Sequence, residues 1–181
     1  MKVLKWIGIV IVSLIILLYG GFELMKYNTK KASPEKTAIY SSGDKEISVF
    51  YCSPSKKGRV IFGELEPFGK GWRTGANEAT TFTSNADFNF NNIHVPAGEY
   101  TLWTIPNENH WVVILNSKMY GWGVDFDSNA LREEEFDIAV TEVPVQKTSD
   151  VVEKFTIDFD SNASMSLSWD NTSVTVPISF N

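Results

Sequence analysis

The sequence predicts an all-β fold: a single antiparallel β-sandwich or jelly-roll-like domain preceded by one N-terminal transmembrane helix. Three observations carry this. An uncharged apolar run lies close to the N-terminus; about ten short segments, alternating or fully apolar, follow one another between turn residues; and no amphipathic run is long enough for a soluble helix. Composition agrees, since 12 Phe, six Trp and six Tyr in 181 residues suit pleated, half-buried surfaces.

The apolar run comes first. Lys2 and Lys5 precede an uncharged stretch from Trp6 to Phe22, which as a helix spans about 25 Å. Adding residues 3–5, with Lys5 snorkelling, brings it near the roughly 30 Å hydrocarbon core. Trp6 and Tyr19 stand at its two ends, where interfacial aromatics belong. Residues 1–22 are therefore read as a membrane anchor, with residues 3–22 as the membrane partner. The alternative is a cleaved signal peptide, but Gly20-Gly21-Phe22-Glu23 is not an A-x-A-like site, and no cysteine follows for lipid attachment. Lys26, Lys30, Lys31 and Lys36 beyond the run offset Lys2 and Lys5 before it, so charge does not orient the span. Residues 23–39 read as a polar tether, and 40–181 as the domain.

Within the domain, Ile47–Tyr51 alternates and stops at Ser53-Pro54, and Arg59–Phe62 reads as a short strand ending at Gly63. Ala79–Thr83 and Asp87–Phe90 flank a turn at Ser84-Asn85. Tyr100–Ile105 and His110–Leu115 are separated by Pro106-Asn-Glu-Asn109, a hairpin loop. The second of that pair is apolar on both faces and predicts a central, covered strand. Glu134–Val143 alternates roughly. Three clearer strands close the chain, around Phe155–Phe159, Met165–Trp169 and Val174–Phe180, the last two separated by a turn at Asp170-Asn171.

Charge narrows the partners. The net charge is −6; setting aside the two positive charges of Lys2 and Lys5 leaves −8 on the remainder. An acidic domain repels phosphate backbones, so no nucleic-acid partner is expected. Cys52 is the only cysteine and the two histidines, His94 and His110, stand apart, so neither a disulfide nor a zinc site is expected. Asp125-Phe-Asp127-Ser-Asn129 opens like a calcium loop, but Ala130 replaces the required Gly and Phe136 the closing Glu. No metal and no cofactor are expected.

Chemistry is most concentrated between Pro67 and Thr80, a segment long for a connection between strands and rich in polar groups beside an aromatic. Arg59, Arg73, Asn77 and Glu78 with Trp72 could line a ligand pocket: Arg offers a planar fork for carboxylate or phosphate, Asn and Glu read hydroxyls, and Trp gives a stacking face for a saccharide. Glu78 is the one weak candidate for a catalytic acid or base. Alternatively, Arg73 and Glu78 form a buried ion pair that fixes the loop, with Gly75 supplying a turn. Lys56, Lys57, Arg59, Lys70 and Arg73 make the chief basic cluster, set against Glu64 and Glu66. If they converge, an anionic small ligand is favoured. No Ser-His-Asp arrangement, Cys-His pair or phosphate loop is present.

The same segment carries a resemblance. Lys57–Gly63, Pro67-Phe-Gly69 and Trp72-Arg-Thr-Gly-Ala-Asn-Glu-Ala-Thr-Thr81 are followed by Pro96–Pro106, Trp111–Asn116, Gly121-Trp-Gly123 and Leu167-Ser-Trp169. In this order they resemble domain-of-unknown-function family 2911, across about Ser48 to Ile178. The resemblance implies an exported, all-β protein of the bacterial envelope, with the C-terminal domain in the periplasm or exterior. It implies no activity, substrate or catalytic residue. The expected function is a membrane-anchored, non-catalytic binding or structural module; the alternative is a small envelope hydrolase or lyase acting on a saccharide or acidic metabolite.

Overall fold

The computed structural model describes residues 2–180. They form two units, residues up to Ala32 and from Ser33 onward. The first is helix α1, Lys2–Ala32, of 31 residues. Within its stretch Lys5–Ala32 an 18-residue window has a mean hydropathy of 2.3, and the helix is long and apolar enough to cross a membrane. The helix thus continues through most of residues 23–39, where a tether was expected. Nothing in Glu23–Ala32 breaks a helix. A side-chain pair from Glu23 to Lys26 (2.9 Å) supports one turn of it, and Pro34 ends it.

The second unit is built from eleven strands, β1 to β11: Glu35–Ser42, Lys45–Cys52, Thr81–Ser84, Phe88–Phe90, Ile93–Val95, Gly98–Pro106, His110–Asn116, Asp137–Pro144, Gln146–Phe159, Met165–Val176 and Ile178–Phe180. An antiparallel six-stranded sheet runs β1-β2-β3-β6-β7-β8. A ribbon of β9 and β10 and a three-stranded sheet β11-β4-β5 complete the unit. Alternation sets the layers. Ile47, Val49 and Tyr51 of β2, Tyr100 and Leu102 of β6, and Trp111, Val113 and Leu115 of β7 turn one face of the large sheet into a single core. That face packs on Phe155 and Ile157 of β9, Leu167 and Trp169 of β10, and Phe88 and Phe90 of β4, a sandwich-like arrangement. The opposite face is covered locally, where Trp103 and Ile114 pack with Ala79, Tyr120 and Ala130. Strand β7 is thus covered on both faces and flanked by β6 and β8, as its apolar run predicts.

Four features differ from expectation. Strand β1 begins at Glu35 and pairs along all of β2, so the domain starts before residue 40; as an edge strand it needs little apolar alternation. Arg59–Phe62 is not a strand. Lys57 (φ 49°) and Gly58 (φ 72°) turn the chain into it, and the bond from Glu66 N–H to Ile61 C=O (2.9 Å) closes the far side. Asp170-Asn171 is not a hairpin turn, because residues on both sides of it pair with β9. Asp170 (φ 56°) instead makes a bulge within one continuous strand. The first half of β9, Gln146–Lys154, lacks a clear apolar alternation and is mostly exposed, but pairs with the bulged end of β10.

Candidate functional site

The Trp72–Thr80 segment occupies the row next to β6 beyond the point where β3 ends. Trp72 N–H donates to Thr104 C=O (2.7 Å) and Thr104 N–H donates back to Trp72 C=O (2.9 Å). The segment then folds onto itself. Thr80 Oγ1 donates to Thr74 C=O (2.7 Å) and Thr74 Oγ1 to Thr104 Oγ1 (3.2 Å), while Ala76 N–H reaches Cys52 C=O (3.2 Å). Backbone groups buried by a loop must find partners, and these threonines supply them. Gly75 is needed for closeness: a Cβ there would stand 3.0 Å from Cys52 C=O and 3.1 Å from Thr80 Oγ1.

Trp72 points into the core. It is 5% exposed, its ring stacks on Trp169 (centroids 5.9 Å, 18°) and meets Phe155 at 4.9 Å, and its indole N–H is bonded to Gly75 C=O (2.9 Å). No open stacking face is presented by that ring. Asn77, buried and at φ 59°, donates to Ser33 C=O (3.4 Å). Glu78 accepts from Cys52 Sγ (3.4 Å). Burial, ahead of the nearby carboxylates, pushes the Cys52 thiol up to about 11. Arg59 is exposed and spends its guanidinium on the turn that holds it, donating to Lys56 C=O (3.0 Å) and Ser55 C=O (2.6 Å).

The five residues named from the sequence therefore do not converge. Trp72 and Arg73 line one open cleft of about 570 Å³, with Glu66, Lys70, Asp127 and Asn129; Arg59, Asn77 and Glu78 are not in its lining. The basic cluster divides likewise. Lys70 and Arg73 meet at the cleft, while Lys56 bonds Asp170 (3.1 Å) and Arg59 C=O (2.7 Å).

Arg73 is the centre of this cleft. Its stem runs over Gly123, where an added Cβ would sit 3.4 Å from Arg73 Cβ and Cδ. Its Nε is buried with no hydrogen-bond partner among the described residues. The expected ion pair with Glu78 is not formed among the ion pairs of the described residues. Burial pushes the guanidinium's pKa down, and Glu66, ahead of Glu78, is the carboxylate that opposes this. Glu66 itself is pushed up to about 7, because burial outweighs the attraction of Arg73 and Arg59. Sequence reasoning counted Glu66 only as a balancing charge.

The opposite wall is the Asp125–Ala130 loop. Asp125 Oδ1 accepts from the backbone N–H groups of Asp127 (2.9 Å) and Asn129 (2.8 Å). The bonds from Asn129, side chain first, hold the Asp125 carboxyl below its usual range. The calcium-like spacing thus serves a turn, and it sets Asp127, Ser128 and Asn129 on the rim. Among the described residues no three His, Cys, Asp or Glu side chains gather as a metal site.

A family model described as a protein of unknown function (DUF2911) matches residues 33–178, nearly the whole second unit. No curated protein and no solved structure matches the chain.

Proposed function

The chain belongs to the DUF2911 family, whose description carries no activity, and we propose from the geometry that it is a binding module for a small acidic ligand. The supporting observation is Arg73: a half-buried guanidinium with an unbonded Nε in a 570 Å³ cleft, Lys70 beside it. A desolvated Arg with an unbonded Nε favours an anion that completes its fork, a carboxylate or a phosphate. Glu66, its carboxyl raised by burial, offers that anion an O–H donor when protonated rather than a second negative charge.

The test is a thermal-shift series on the full chain in zwitterionic micelles with small carboxylates, sugar acids and inorganic phosphate. At a hundredfold excess over Kd an acid contributes about 2.7 kcal/mol, a rise of roughly 5–10 °C for a protein of this size. Arg73→Ala should lose that rise. The reading is wrong if no acid shifts the protein, or if Arg73→Ala responds as the parent does.

One observation favours a second reading, a small hydrolase or lyase. A carboxyl that titrates near 7 in a cleft is suited to general acid–base work, and here that group is Glu66 rather than Glu78. Turnover of an acidic saccharide that Glu66→Gln abolishes, with binding retained, would replace the binding reading.

We place the domain outside the cytoplasmic membrane, in the periplasm or exterior, with α1 as an uncleaved anchor. Support comes from the length and hydropathy of α1 and from the envelope location that the family resemblance implies. A periplasm-only reporter fused after Asn181 should be active in membranes, and a signal from a cytoplasm-only reporter refutes the orientation.

A further inference from the structure

A second recess lies on the other side of the Ile61–Gly71 loop. It measures about 120 Å³ and is lined by Phe62, Phe68, Asn107, Glu108, Trp111, Lys147 and the bulge of β10 at Asp170–Thr172. The loop thus separates two concavities: Leu65, Glu66 and Lys70 face the first, Phe62 and Phe68 the second. Their floors touch, since the Phe62 and Trp72 rings stand 6.1 Å apart.

We propose that this recess is a subsite for a neutral hydroxylated ring, a saccharide unit. Four observations meet there. Trp111 is fully buried, and its indole N–H has no hydrogen-bond partner among the described residues. A buried unmatched donor is unusual, and this one belongs to a residue that lines the recess. Phe68 is 44% exposed, and its ring lies beside Gly63, where an added Cβ would stand 3.0 Å from it, so it presents an apolar platform. Asn107, Asn171 and Thr172 add amide and hydroxyl groups able to both donate and accept. The charges balance: the lining holds one lysine, Lys147, and one glutamate, Glu108, and Asp170 is already bonded by Lys56 (3.1 Å). An apolar face, amides and hydroxyls, and no net charge select neither an ion nor a lipid chain but a polyol ring.

The volume limits how it binds. At about 30 Å³ per water the recess holds only a few such volumes, so one edge of the ring enters and its C–H face rests on Phe68. Weak binding is expected, on the order of 1 mM, or about 4 kcal/mol. This subsite stands on its own lining and does not require the acid-binding reading of the first cleft.

The experiment is saturation-transfer NMR on the full chain in phosphocholine micelles, which carry no sugar headgroup. The probes are neutral glucose-, galactose- and N-acetylglucosamine-based disaccharides at about 10 mM, tenfold over the expected Kd. Signal transfer should be concentrated on one edge of a sugar ring. It should fall at least fivefold in Phe68→Ala, persist in Phe68→Tyr, and persist in Arg73→Ala. No transfer from any of the three, or equal transfer with Phe68→Ala, overturns the subsite. Loss in Arg73→Ala with Phe68→Ala unaffected assigns the sugar to the first cleft and overturns it as well.

Discussion

Replacing Glu66 by Gln makes the domain more stable at pH 8 and leaves it nearly unchanged at pH 4. Burial raises the Glu66 pKa from 4.5 to about 7 in the folded chain. A raised carboxyl favours folding while it is protonated, so its contribution is complete below the unfolded pKa and lost as pH climbs through the folded one. Between those values the folded state holds more protons than the unfolded state, and stability must fall with pH. A shift from 4.5 to about 7 corresponds to about 3 kcal/mol at 1.36 kcal/mol per unit. Glutamine has the same shape and no charge to desolvate, so the variant escapes this loss. Urea unfolding of parent and variant in micelles, at intervals from pH 4 to pH 9, measures the difference. It should rise from near zero to about 3 kcal/mol, mostly between pH 4.5 and 7. The opposite outcome has a clear physical meaning. If Glu66→Gln is destabilising at pH 8, the attraction of Arg73 and Arg59 outweighs burial, the carboxylate is a structural ion-pair partner, and the reasoning fails.

Other outcomes follow from the same geometry. Gly75→Ala should cost about 2–4 kcal/mol by driving a methyl group onto the Cys52 carbonyl, read as a lower urea midpoint; an unchanged midpoint would show that the loop yields freely. Cys52, fully buried with its thiol pushed up to about 11, is about one part in a thousand thiolate at pH 8. It should react with a disulfide reagent at least a hundredfold faster in urea than in the folded protein, and comparable rates would contradict its burial. Asp125→Ala removes the acceptor of two backbone N–H groups. It should speed hydrogen exchange at Asp127 and Asn129 without lowering the unfolding midpoint of the core, and exchange identical to the parent would deny the side chain its role in the turn.

Strands whose side chains face one core were legible because alternation is the direct record of burial: β2, β6 and the Met165–Trp169 half of β10 are read almost residue by residue. What escaped depends on partners distant in sequence. Strand β1 owes its form to backbone pairing with β2 rather than to its own polar side chains. Asp170-Asn171 has turn chemistry, yet β9 on the facing side keeps the strand going and converts the turn into a bulge. The Arg59–Phe62 run has strand propensity, but what bonds it is the turn that follows, through Glu66 N–H to Ile61 C=O (2.9 Å), rather than a strand. The site divides the same way. Arg73 was legible because it stands beside Trp72 in a dense polar motif. Glu66 was not, because its perturbed acidity comes from burial in a cleft whose other wall, 124–130, lies some sixty residues on. Trp72 was misjudged as a platform because an aromatic among glycines resembles an exposed one, whereas Trp169 and Phe155 draw it inward.

The placement of Trp72 has a consequence for how this protein can change over generations. Its backbone extends the sheet, its ring fills the centre of the core, and the residue after it carries the guanidinium of the cleft. On the binding reading proposed above, substitutions that would retune recognition at Arg73 therefore act one peptide bond from a keystone of the fold. On that same reading, variation in ligand preference should accumulate instead at the rim, in the 124–130 loop and at Lys70, where the chain can drift without first losing its shape.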